Sequence, residues 1–86
     1  MDERILELRK KIDDLDGEII KLLKKRMQVS LEVGKLKEKL HIPVEDKKRE
    51  TEIIQKLIYQ AGKNLTEEQL IRIFTAVFKS SKQIQG

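Results

Sequence analysis

The sequence contains no cysteine and no tryptophan, and it holds only one tyrosine, two phenylalanines, one proline and one histidine in 86 residues. Without cysteine there is no disulfide framework, no thiol nucleophile and no thiolate zinc site, so a cytoplasmic location in a reducing compartment is expected. Metal chemistry is not expected, and no cofactor motif is present. The near absence of aromatic side chains leaves few platforms on which nucleic-acid bases could stack. No apolar run is long enough to span a bilayer. The opening Met1-Asp2-Glu3-Arg4 mixes charge signs ahead of an amphipathic pattern, which is not how a secretory leader reads.

What the chain does contain is charge and helical periodicity. With 38% hydrophobic and 40% charged residues, residues 1–86 read as one small domain whose own core is modest. The formal net charge of +4 suits an anionic ligand, but most basic residues are lysines interleaved with acids, the usual pattern of a solvated helix face.

Apolar residues recur at alternating spacings of three and four from Ile5 to Leu40, which predicts a single long helix with a coiled-coil seam. Ile5, Leu8, Ile12, Leu15, Ile19, Leu22, Val29, Val33, Leu36 and Leu40 form that seam. It is interrupted once, at Arg26. A buried guanidinium without a partner costs several kcal/mol, so this position calls for an anion or an opening to water. His41-Ile42-Pro43 ends the helix, because the residue before a proline is pushed out of the helical region. Gly17 and Gly34 lie inside it and are candidates for close helix contacts, with a tolerated surface glycine equally consistent at Gly17. Some 36 residues of helix are about 54 Å long, whereas a compact chain of this size has a radius of gyration of about 12 Å. The remaining residues cannot cover such a rod, so two chains are expected to share their long helices in a two-fold dimer.

A second helix is predicted from the acidic start Glu45-Asp46 to about Ala61, stopped by Gly62. Its apolar face, Ile53, Ile54, Leu57, Ile58 and Ala61, continues backwards into Glu50, Arg49 and Asp46. The third helix begins at Thr66, where Thr66 and Gln69 make a capping box and Leu65 with Leu70 can form a hydrophobic staple. Its buried face, Leu70, Ile73, Phe74, Val77 and Phe78, continues into Ser81 and Gln85. Lys37 lies three turns beyond Arg26 on the same helix face, about 16 Å along the axis. Taken singly, each polar residue reads as a surface group or a frayed end. Together, on stripes that should be apolar, they describe a pocket for a small anion carrying one or two carboxylates.

The pattern Leu8-Arg9-Lys10-Lys11-Ile12-Asp13-Asp14-Leu15-Asp16, then Arg26, then Glu32-Val33-Gly34-Lys35-Leu36-Lys37, then Pro43-Val44-Glu45-Asp46 with Arg49-Glu50, and finally Ser81 and Gln85, closely resembles the all-helical chorismate mutases. The resemblance covers nearly the whole chain. It implies an all-α fold of three helices per chain, one long and two shorter, intertwined as a homodimer with two active sites. It implies that Arg26 and Arg9 clamp the carboxylates of chorismate, Arg9 reaching in from the partner chain, with Ser81 assisting. Lys37 and Gln85 would donate to the ether oxygen, and Glu50 with the backbone at Asp46 would hold the ring hydroxyl. Arg49 would support the site electrostatically. No cofactor or metal is implied, because chorismate becomes prephenate by an intramolecular pericyclic rearrangement. Two other classes stay open: a pyruvate lyase acting on isochorismate, which shares the fold and a similar basic site, and a non-enzymatic helical module that dimerises or binds nucleic acid through its lysines.

Overall fold

The computed structural model describes residues 2–85. They form α1 (Glu3–Lys39), α2 (Lys47–Ala61) and α3 (Glu67–Gln85), with no strand among the described residues. The fold class is all-α, one long helix and two shorter ones, as the periodicity predicts.

Local chemistry explains each boundary. At the start of α1, the Asp2 carboxylate accepts from the Arg4 backbone N–H at 2.7 Å. At its end the chain stops by a different device from the one the proline alone suggests. The His41 N–H donates to the Glu38 carbonyl at 3.2 Å and the Ile42 N–H to the Lys37 carbonyl at 2.8 Å. That pair of bonds is a Schellman motif, and it places His41 in the left-handed region with φ 57°, a position glycine usually fills. Helix α1 therefore ends at Lys39 with Leu40 as its cap, ahead of Pro43. Asp46 caps α2 through its carboxylate and the Arg49 N–H, at 3.0 Å, and Gly62 ends α2 at φ 60°. The capping box of α3 is reciprocal: the Gln69 N–H donates to Thr66 Oγ1 at 3.1 Å and the Thr66 N–H to Gln69 Oε1 at 2.9 Å.

Helix α3 is the hinge of the packing. It lies against both α1 and α2, which make no close backbone contact with each other. The buried apolar side chains of the described chain are Leu70 and Phe78, both on α3, while Ile53, Ile54, Leu57 and Ile58 of α2 are half-buried. On α1 the buried positions are Ser30 and Gly34, small residues that let α3 approach. The apolar seam is not what α3 covers. Ile5, Leu8, Ile12, Leu15, Ile19 and Leu22 are exposed, as are Val29, Val33, Leu36 and Leu40. Ile73, expected on the buried face of α3, is half exposed. The result is a rod: the radius of gyration is 16.4 Å and the longest dimension 56 Å, against about 12 Å for a compact chain of this length.

The strained turn gives a test. His41→Gly should raise the unfolding free energy by about 1 kcal/mol, the usual cost of a side chain in the left-handed region, while a β-branched His41→Val should lower it. Urea unfolding at one fixed protein concentration reads both.

Candidate active site

One cleft of about 300 Å³ opens between the C-terminal half of α1, the α1–α2 loop, the first turns of α2 and the last turns of α3. That volume is at the small end of those that hold metabolites. Arg26, Lys37, Asp46, Arg49, Glu50, Ser81 and Gln85 all line it. Arg9 does not. It is exposed near the start of α1, about 25 Å along the helix from Arg26 and about 42 Å from Lys37.

Helix spacing delivers the cations. Arg26, Ser30, Val33 and Lys37 succeed one another at four, three and four residues, so they run down one side of α1 toward the loop. The Arg26 guanidinium is half-buried, donates to Ser81 Oγ at 2.5 Å and lies over the Phe78 ring, 5.8 Å from its centroid. Phe74 in turn packs on Phe78 at a tilt, with centroids 6.1 Å apart. Ser81 also donates back along α3 to the Val77 carbonyl at 2.9 Å. Lys37 donates to the Val44 carbonyl at 3.1 Å, which ties the loop to the end of α1. Among the described residues neither Arg26 nor Lys37 has a carboxylate within ion-pair distance, although the chain contains 15 acidic residues. Two cations directed into one cleft without anionic partners suit it to an anion.

The acidic side of the cleft is built on α2. Asp46 is committed twice: its carboxylate caps the helix, and its carbonyl accepts from the Glu50 N–H at 3.1 Å. Arg49 lies at the rim, with its nearest acid, Glu52, at 3.9 Å. Glu50 is paired with Lys82, whose Nζ is 3.1 Å from Glu50 Oε2 and 3.4 Å from Glu45 Oε1. Hydrogen bonding to Glu50, with a smaller contribution from Glu45, holds the Lys82 ammonium above the usual lysine range. Because the folded-state value is raised, the stability that Lys82 contributes as an ammonium is lost as pH rises through that raised value.

Among the described residues the buried Gln85 Oε1 receives no hydrogen bond, and the buried Glu50 Oε2 has only the Lys82 ammonium beside it, 3.1 Å away. Buried polar atoms are nearly always satisfied, so the open amide of Gln85, beside a carboxylate that meets a single cation, leaves hydrogen-bonding capacity facing the cleft. Gln85 is brought there by an absence. A Cβ on Gly34 would fall 2.7 Å from the Cα of Gln85, whereas one on Gly17 would meet nothing within 4 Å. Gly34 is therefore the close-contact glycine of α1 within this chain.

Sequence reasoning does not single out Ser30, Val44, Phe78 as a ring under Arg26, or Lys82. For Lys82 the signal is present in the spacing, since it follows buried Phe78 by four residues and shares its face. A second, shallower groove runs along the outer face of α2 past Glu52, Lys56 and Tyr59, but its charges do not converge and Tyr59 is almost wholly exposed. Among the described residues no cluster of three or more metal-ligating side chains occurs, and no helix is long and apolar enough to cross a membrane.

Fold and site together define a small all-helical protein with a basic, partly hydrogen-bonded cleft for an organic anion. The sequence profile of the family described as chorismate mutase type II matches residues 8–86, and the chain belongs to that family. It is 33% identical over 86 residues to the chorismate mutase of Methanocaldococcus jannaschii, an alignment covering 99% of this chain and 87% of that protein. It is 37% identical over 79 residues to the bifunctional chorismate mutase/prephenate dehydratase of Escherichia coli K12, covering 90% of this chain but 20% of that longer enzyme. Among solved structures it superposes on chorismate mutase from Helicobacter pylori in complex with prephenate, with a TM-score of 0.91 at 37% identity over 98% of this chain and 91% of that one. A chorismate mutase from Thermus thermophilus gives 0.92 at 33% identity over 95% and 93%.

The contact at Gly34 can be tested without a substrate. Gly34→Ala should lower the unfolding free energy by about 1–2 kcal/mol, since overpacking strain of about 1–3 kcal/mol outweighs up to about 1 kcal/mol of alanine's helix preference. Thermal unfolding followed by circular dichroism measures it, and an unchanged or raised midpoint would show that α3 does not press on Gly34.

Proposed function

We propose that this protein catalyses the rearrangement of chorismate to prephenate, an isomerase reaction of aromatic amino acid biosynthesis. The observation that carries the reading is the pair Arg26 and Lys37, directed into one cleft with no carboxylate among the described residues to neutralise them. Chorismate presents what such a cleft lacks: two carboxylates, an ether oxygen and a ring hydroxyl that can donate. Arg26, steadied by Ser81 and Phe78, takes a carboxylate. Lys37 turns from the Val44 carbonyl to the ether oxygen, and the Gln85 amide donates to the same atom. Glu50 accepts from the ring hydroxyl, helped by the backbone at Asp46, and Arg49 supports the field from the rim.

The chemistry needs no nucleophile or general base. As the bond between the ether oxygen and its ring carbon breaks, a new carbon–carbon bond forms within the same molecule. Two effects supply the rate. The cleft holds the compact, diaxial conformer in which the reacting carbons meet. Lys37 and Gln85 then meet the negative charge that builds on the ether oxygen only in the transition state.

The functional unit of this reading is a homodimer. The exposed row from Ile5 to Leu22 is a seam without a partner in its own chain, and burying such side chains contributes about 1.5–3 kcal/mol each at full burial. In an antiparallel pair the N-terminal third of one α1 meets the cleft of the other, so Arg9 completes the site across the interface.

An ultraviolet assay of chorismate consumption with product analysis tests the activity. Prephenate is expected, and consumption of isochorismate to salicylate and pyruvate without mutase turnover would assign the cleft to the lyase reaction instead. Lys37→Ala should lower kcat about 10²-fold or more while KM changes less, the behaviour of an oxyanion donor that acts in the transition state. A near-normal kcat in that variant would remove Lys37 from the mechanism.

The shared site has its own test. Arg9→Ala and Lys37→Ala homodimers should each be nearly inactive, but in a heterodimer one site carries both lesions and the other carries none. Unfolding and refolding the two variants together in equal amounts should recover up to about a quarter of parental activity, because half the dimers are mixed and each has one intact site. No recovery would mean that Arg9 does not act in the partner's site.

A further inference from the structure

Lys82 occupies the last turns of α3 between Ser81 and Gln85, and its charged side chain joins α3 to both segments on the acidic side of the cleft. From α3 its ammonium reaches Glu45 in the loop at 3.4 Å and Glu50 on α2 at 3.1 Å. Since α1 and α2 make no close backbone contact, the start of α2 is set over the cleft by its loop, which Lys37 ties to α1 at Val44, and by α3, to which this bridge is the polar link. Among the described residues no other side chain pairs with Glu50. The ammonium lies 3.1 Å from Glu50 Oε2 and 3.4 Å from Oε1, so the ion pair fixes the carboxylate, and because each carboxylate oxygen can accept more than one hydrogen bond it keeps acceptor capacity for the cleft.

We propose that Lys82 is a positioning residue for the rearrangement: it holds the Glu50 carboxylate turned into the cleft for the ring hydroxyl and offsets its charge against the incoming dianion. The proposal rests on the reading above that Glu50 receives that hydroxyl. Two physical arguments separate positioning from direct contact. An unneutralised carboxylate on the wall of a cleft that admits two more carboxylates opposes binding, so a compensating cation beside Glu50 is required. That cation is itself engaged by two glutamates, and this leaves it with little net attraction for a substrate carboxylate, unlike Arg26 and Lys37. Glu45 then has a defined part: it draws the ammonium toward the loop and keeps it out of the space that substrate fills.

A kinetic double-mutant cycle tests this. Lys82→Met should lower kcat/KM about tenfold or more, mainly by raising KM, since a hydrogen bond to a charged group and a repulsion are both at stake in the bound state. Lys82→Arg, which keeps a cation between the two glutamates, should restore most of the loss. In a Glu50→Gln background, Lys82→Met should have almost no further effect, because the amide carries no charge to hold or offset. If Lys82→Met does not fold, Lys82→Gln carries the same cycle. A parent-like Lys82→Met, or a loss of the same size in both backgrounds, would overturn the role through Glu50 while leaving the mutase reading intact. A parent protein that does not turn over chorismate would overturn both.

Discussion

A guanidinium half-buried between two helices without a carboxylate beside it is the constraint on which the rest of this structure turns. The Arg26 side chain is kept in place by a hydroxyl and an aromatic face, neither of which cancels its charge. Three features of α3 follow from it. Phe78 supplies the ring, Ser81 supplies the oxygen, and both are buried, so the helix must dock at one register against α1. That register is permitted by Ser30 and Gly34, which keep the facing surface of α1 low. Where α3 docks, its next turn carries Lys82 and Gln85 to the cleft. Leaving a half-buried charge without a counter-charge costs stability, and in the proposed reading an anionic ligand offsets that cost on binding.

Much of this was legible in the residues, for reasons that differ from element to element. Helix α1 could be read because thirty-six residues keep one spacing, and α3 because Thr66 and Gln69 form a reciprocal cap whose bonds the structure contains. The cleft residues could be read because Arg26, Glu50, Ser81 and Gln85 fall on stripes that helical geometry says should be apolar. The end of α1 was legible as a place but not as a mechanism. A Schellman turn usually announces itself with glycine, and here a histidine adopts the left-handed conformation instead.

The rest was hidden because packing within one chain does not follow hydrophobicity. The seam is the strongest pattern in the sequence, yet α3 does not use it. It packs on small residues displaced from the seam, and small residues carry no periodic signal. Lys82 was hidden differently. It stands in a chain with 19 lysines and arginines, most of them on solvated faces, and only the approach of Glu45 and Glu50 from other segments distinguishes it.

The exposed seam and the cleft are two aspects of one design problem. A site that works by pre-placed charge needs donors that cannot relax, and a side chain on a long helix is rigid only where the helix is braced. Here α3 braces the half of α1 that carries Arg26 and Lys37, while among the described residues the apolar side chains from Ile5 to Leu22 stay open. A second chain laid along that seam, as proposed, removes apolar surface from water and stiffens the free half of the helix in the same step. It also brings a new cation to a cleft that lies beyond the reach of that cation in its own chain, because Arg9 and Arg26 are about 25 Å apart along α1, farther than any small dicarboxylate spans. The length of α1 thus ties dimerisation to catalysis in this reading: a shorter helix would bury its own seam, and it would then have no end to offer its partner.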